Sequence, residues 1–135
     1  MREIKFRAKD IKGTWRYGYY SIVPEPQDDG FYPLSYIENC DNDDFKRQVY
    51  VVDRHTLGQY TGLKDKNGVE IYEGDILAFT ICDIDGFDMQ YNGEVVFENY
   101  WFVVESDEEG FDLWAVALDD ELEIIGNIHE NKEAK

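Results

Sequence analysis

The sequence predicts a mostly β protein: a small antiparallel barrel of the SH3-like type in the C-terminal half, with an N-terminal β-hairpin and an acidic loop insertion before it. Three observations predict this. Aromatic residues make up 16% of the chain, with ten Tyr, eight Phe and three Trp, and such rings fit the pleated, half-buried surface of a strand. Short apolar runs alternate with polar residues and are separated by turn residues at intervals of about 8–12 residues. No long segment repeats its apolar residues with the 3.6-residue period of a helix. A chain of 135 residues suits one compact domain with a smaller appendage, and buries roughly two-thirds of its unfolded surface.

The elements follow in order. Ile4, Phe6 and Ala8 alternate with Lys5, Arg7 and Lys9, which reads as a half-buried strand with a basic outer face. Asp10 to Gly13 is a turn, and Trp15 to Val23 pairs back as the second strand of a hairpin. Pro24 to Asp44 holds all three prolines, seven acids and no base. Pro24 to Gly30 is expected as an exposed loop, and Phe31 to Ile37 as a short edge strand, because Pro33 cannot donate to a ladder. This stretch is the expected mobile insertion and site of partner contact. Val49 to Val52 is a short strand.

Leu57 to Leu77 organises the rest. Asn67-Gly68 supplies the two positive-φ positions of a type I′ hairpin turn. Gly58, Gly62 and Gly74 stand where the chain bends or approaches another strand closely. Asp75 follows Gly74 into the apolar run Ile76 to Ile81. Gly58, Gly62, Asn67, Gly68, Gly74 and Asp75 are therefore the residues of a structural motif. Asn92-Gly93 predicts a second type I′ hairpin joining Met89–Tyr91 to Glu94–Phe97. Tyr100 to Glu105, Leu113 to Leu118 and Leu122 to Ile125 read as further strands, and Asn127 to Lys135 as a polar end with one short helical turn. The expected organisation is 1–56 for the hairpin and insertion, 57–128 for the barrel and 129–135 for the tail. The expected core is Tyr60, Ile71, Ile76, Phe79, Val95, Phe97, Val103, Trp114, Val116, Leu122 and Ile124.

Charge narrows the function. The net charge is −17, and from Asn67 to Asn131 there are eighteen Asp and Glu with no Lys or Arg. A surface so negative repels nucleic acid and anionic membranes. Solubility alone accounts for such charge; a basic partner, or imitation of a polyanion, are the sharper alternatives. Residues 1–16 carry six basic side chains against Glu3 and Asp10. With Phe6, Trp15 and Tyr17 nearby they resemble a stacking surface for bases, but pairing within the protein or between subunits is the expectation. Cys40 and Cys82 lack metal-ligand or redox spacing and are expected as reduced thiols. No signal-peptide core and no run of about 20 apolar residues is present, so the expectation is a soluble, cytoplasmic protein.

Catalytic patterns are absent from the sequence. Asp83-Ile-Asp85-Gly86-Phe87-Asp88 starts like a calcium loop, but the sixth position of such a loop needs Gly and here it is Asp88. Asp41, Asp43 and Asp44 fail in the same way. His55, His129, Cys40 and Cys82 are too far apart in sequence for a local zinc site. Ser21, Ser35 and Ser106 lie in no G-x-S-x-G context, and no phosphate-binding loop occurs. No cofactor, no metal and no catalytic residue is expected.

Thr56 to Ile76, the opening Arg2 to Ala8 and the closing Ile125 to Asn131 together resemble the YopX family of phage and prophage proteins. Lys9 departs from the usual Trp, and Lys132 from a Pro that often follows. The resemblance implies a mostly β protein encoded by a phage or prophage, and carries over no catalytic residues. The leading expectation is a non-enzymatic accessory protein acting through protein contacts, with a basic partner or a second copy of itself. An acidic nucleic-acid mimic that blocks a host DNA-binding protein is the alternative, and a divalent-metal-dependent hydrolase the weaker one.

Overall fold

A computed structural model of the protein describes residues 4–27, 30–39, 48–107 and 109–130. The fold is mostly β, in two antiparallel sheets, neither of which closes into the barrel expected for the C-terminal half. The chain divides into two compact units, which meet in sequence between Tyr60 and Thr61.

In the first unit, β1 (Phe6–Lys9) pairs with β2 (Trp15–Gln27), as the hairpin pattern predicts. β2 continues past the prolines and pairs with β3 (Gly30–Asn39) from Gly18↔Asn39 to Gln27↔Gly30. The expected loop at Pro24 to Gly30 is therefore the end of a long hairpin, with Pro24 opposite Pro33. Nor is β3 an edge strand, since β4 (Val49–Val52) pairs on its other side. The remainder of the predicted insertion, at 28–29 and 40–44, falls outside the described residues. Ala8, Ile37 and Val52 form this unit's core, with Phe6, Tyr20, Tyr50 and Leu57 packed against it. The bridge Asp10↔Val52 ties the end of β1 to β4.

β5 (Gly58–Lys64) begins in the first unit, where Phe6 pairs with Gln59, and ends in the second. The second unit then contains β6 (Glu70–Tyr72), β7 (Asp75–Cys82), β8 (Asp88–Glu98), β9 (Trp101–Ser106), β10 (Gly110–Asp112), a one-turn helix α1 (Leu113–Val116) and β11 (Glu123–Asn127). Its five-stranded sheet has the order β10-β9-β8-β7-β11. Ile71, Leu77, Phe79, Val95, Phe102, Val104, Leu113, Val116 and Leu122 make the core beneath it. Phe79, Tyr91 and Phe111 form a ring triangle there, with centroids 4.8–5.8 Å apart.

Three expectations need correcting. Asn92-Gly93 is no turn: both residues sit inside β8, with Asn92 opposite Ala78 and Gly93 between Leu77 and Ser106. The β7–β8 turn is Asp83 to Gly86 instead, and the β8–β9 turn is Asn99-Tyr100, whose φ values of 51° and 68° are those of a type I′ turn. Side chains one residue apart in a strand point to opposite faces; Val104 is buried where Val103 was expected, and Leu77 where Ile76 was expected. Finally, Leu113 to Leu118 is not a strand. Asp112 Oδ1 accepts the Trp114 backbone N–H at 2.8 Å, capping α1 and turning Trp114 outward. Phe97 and Trp114, both expected in the core, are 41% and 47% exposed.

Candidate protein-binding surface

The motif residues Gly58 to Asp75 serve the backbone. Asp65 N–H donates to Val69 O, and Gly68 N–H to Asp65 O. Gly68 has φ 79°, whereas Asn67 has a negative φ, so the turn is a type I turn closed by a left-handed glycine rather than type I′. The Asp65 carboxylate is buried and holds it shut: Oδ1 accepts the N–H groups of Asn67 and Val69 at 2.9 and 3.0 Å. Gly62 and Gly74 take φ values of 90° and 96°. Gly74 donates to Val95 O and its carbonyl accepts from Ile128 N. Asp75, also buried, accepts the Tyr72 N–H at 2.8 Å. Gly58 is buried opposite Arg7 in the first unit.

The same device recurs. Asp10 to Gly13 and Asp83 to Gly86 each have the aspartate accepting two backbone N–H groups, and Gly13 and Gly86 have φ 81° and 87°. Asp53, Asp112 and Asp119 accept backbone N–H groups as well. Many of the chain's carboxylates thus close turns, and the candidate calcium loop at Asp83 is one of them. Among the described residues, no three or more His, Cys, Asp or Glu are grouped so as to hold a metal ion. Cys82 is exposed, and desolvation, with Asp88 and Asp83 adding to it, pushes its thiol above the usual range. Cys40 lies outside the described residues. His55 sits in a 3-10 turn, Arg54–Thr56, and His129 near Gly74. Among the described residues, no helix is long and apolar enough to cross a membrane.

The basic first strand is engaged within its own unit. Arg7 and Lys9 lie over the Trp15 ring at 4.6 and 5.3 Å, Arg16 over Tyr50 at 3.9 Å and Lys5 over Tyr60 at 5.2 Å. Arg16 also pairs with Asp10 at 2.9 Å. Arg7 is buried, contrary to the expected outer position.

The unabsorbed feature lies in the second unit. The register places Glu94 opposite Glu105, Val96 opposite Val103 and Glu98 opposite Trp101. Asp112 lies opposite Val103, so these side chains share the sheet face turned away from the core. Trp101 and Trp114 meet there, with ring centroids 5.8 Å apart and planes tilted by 39°. Trp101 is 39% exposed. One carboxylate sets the pair: Asp112 Oδ1 accepts from Trp101 Nε1 at 2.9 Å as well as from Trp114 N. The adjoining turn carries Tyr100, 92% exposed. The neighbouring Glu98, by hydrogen bonding and by its charge, pushes the Glu105 carboxyl above its ordinary value; burial does the same to Glu94. The result is an exposed aromatic pair among carboxylates. An open groove of about 470 Å³ is lined by residues that include Ile81, Cys82, Asp88, Ala115 and Leu118.

Sequence reasoning missed this surface because Trp101 and Trp114 belong to different elements. The signal within reach was Asp112, an N-cap residue directly before a short apolar stretch.

Comparison with known proteins adds the following. The family model described as YopX protein matches residues 5–134. No curated protein matches the chain significantly. Among solved structures, the crystal structure of protein EF1440 from Enterococcus faecalis is similar, with 25% identity, a TM-score of 0.55 and 99% of each chain covered.

Proposed function

Because the chain belongs to the YopX protein family, we propose that it is a phage- or prophage-encoded accessory protein, non-enzymatic, working in the host cytoplasm through protein–protein contacts. The contact is made by the Trp101–Trp114 face of the second unit. The observation that carries this is the exposed pair itself: two indoles 5.8 Å apart, left 39% and 47% accessible, with Asp112 bonding the Trp101 indole and capping the helix that carries Trp114. Tryptophan anchors of this kind dominate protein interfaces, and large apolar groups kept at a surface mark recognition. Residues 61–135 carry twenty Asp and Glu against four Lys, which favours a basic partner and fast, salt-sensitive association.

The alternative of an acidic nucleic-acid mimic needs carboxylates free to imitate phosphates. Asp65, Asp75, Asp83, Asp112 and Asp119 accept backbone N–H groups instead, which favours the contact reading. The test is capture from host cells by tagged protein, with a Trp101→Ala/Trp114→Ala variant alongside. The expected result is a specific partner, eluted by salt and lost with the variant. Equal capture by the variant would place recognition elsewhere.

A further inference from the structure

We propose that the Trp101–Trp114 pair is the seat for a lysine or arginine side chain presented by a basic segment of the partner. This rests on the contact reading above and names the chemistry of its occupant.

The first unit supplies the internal precedent. Each of its four described ring–cation contacts sets a Lys or Arg within 5.3 Å of a ring centroid, two of them on Trp15 alone. A cation over an indole face is attracted by the ring quadrupole, more strongly over Trp than over other rings. The Trp101–Trp114 pair offers the same receptor under more favourable electrostatics. Glu98 is the cross-strand neighbour of Trp101, Glu105 lies near enough to Glu98 to have its carboxyl raised by it, and Asp112 accepts from the indole N–H of Trp101 and the backbone N–H of Trp114. The chain itself provides no Lys or Arg anywhere from Asn67 to Asn131.

Charge complementarity therefore selects the occupant. An acidic segment would be repelled by Glu94, Glu98 and Glu105, and a purely apolar one would gain the rings but leave those carboxylates repelling one another. A cation gains both the ring faces and the carboxylates. The raised Glu105 carboxyl, pushed up by Glu98 and Glu94, reports the same crowding of negative charge.

The test is titration of the full chain with three short peptides, identical except for a central arginine, lysine or norleucine, at low salt. The indole N–H signals in ¹H–¹⁵N spectra are the readout. The expected result is saturable movement of the Trp101 and Trp114 signals with the arginine and lysine peptides only. Trp15, already covered by Arg7 and Lys9, stays put and serves as the indole control within the first unit. Glu98→Gln/Glu105→Gln, which leaves both rings in place, should weaken binding by about three- to fivefold. No movement with the cationic peptides would overturn the proposal. Equal movement with the norleucine peptide would also overturn it, while leaving the Trp face a protein contact. Loss of that broader reading needs the separate result of partner capture unaffected by Trp101→Ala/Trp114→Ala.

Discussion

Asp65 Oδ2 accepts the backbone N–H of Ile124 at 3.1 Å, joining two points 59 residues apart. The same carboxylate closes the β5–β6 turn through Oδ1, so one side chain fixes a hairpin and docks the final strand on it. The Lys66 N–H, donating to Leu122 O at 2.8 Å, reinforces the junction. Asp65→Ala removes the acceptor of three backbone donors at a buried site. A loss of about 3 kcal/mol in urea unfolding is expected. Asp65→Asn keeps one oxygen for the turn and is expected to cost about half as much. Equal losses for the two would show that the link to Ile124, rather than the turn, carries the effect.

Gly68 and Gly93 should fail for different reasons. Gly68 has φ 79° and open space where a Cβ would point, so Gly68→Ala costs about 1 kcal/mol of backbone strain. Gly93 has no positive φ, but a Cβ there would lie 2.7 Å from Val104 Cγ1 and 2.9 Å from Glu105 O. Gly93→Ala is expected to cost about 2–3 kcal/mol through overpacking. Val104→Ala in that background should recover part of the loss, not all, because Glu105 O is backbone. In the Gly68→Ala background it should simply add.

Tyr100 sits at the second position of a type I′ turn with φ 68°, a conformation that glycine adopts without cost. Tyr100→Gly should raise stability by about 0.5–1 kcal/mol by relieving that strain, net of glycine's added freedom in the unfolded chain. A thermal melt checks the sign. If Tyr100 contacts the partner, the same variant weakens partner binding while the protein becomes more stable.

Glu105 makes the stability of the fold depend on pH. Its folded pKa is raised by the hydrogen bond and charge of Glu98, with burial and Glu94 adding to them. The folded state therefore holds the proton at a pH where the unfolded state has lost it. Stability falls as pH rises from the ordinary glutamate range through the raised value. Glu105→Gln should raise the melting temperature at neutral pH, and the gain should shrink as the pH approaches the ordinary glutamate range. Asp10 acts in the opposite sense: bonds from Thr14, Arg16 and Lys12 hold its carboxyl low, so its contribution is lost as pH falls through that lowered value.

The fold class was legible because β patterning is local: alternation in β1, the apolar run of β7, the aromatic and β-branched residues of β9, and breaks at Asp10, Asn67-Gly68 and Asp83. The turns were misread where Asn-Gly was given more weight than Asp-x-x-Gly. At Asn92-Gly93 the glycine is there because Val104 and Glu105 crowd it, a long-range cause that no local pattern shows. Helix α1 spans one turn, too short to establish a period, and its place next to β9 is what brings Trp114 to Trp101. The acids looked like a surface property; Asp65, Asp75 and Asp119 instead belong to the backbone's hydrogen bonding. The family resemblance needed none of this, since its motifs are contiguous.

Amide hydrogen exchange on the protein with and without its captured partner tests the central claim most directly. Protection on binding is expected at Glu98 to Val103 and Asp112 to Val116, with Gly58 to Asp75 unchanged. Protection centred on Gly58 to Asp75, with the Trp101 and Trp114 segments unaffected, would show that the motif recognises the partner and contradict the account.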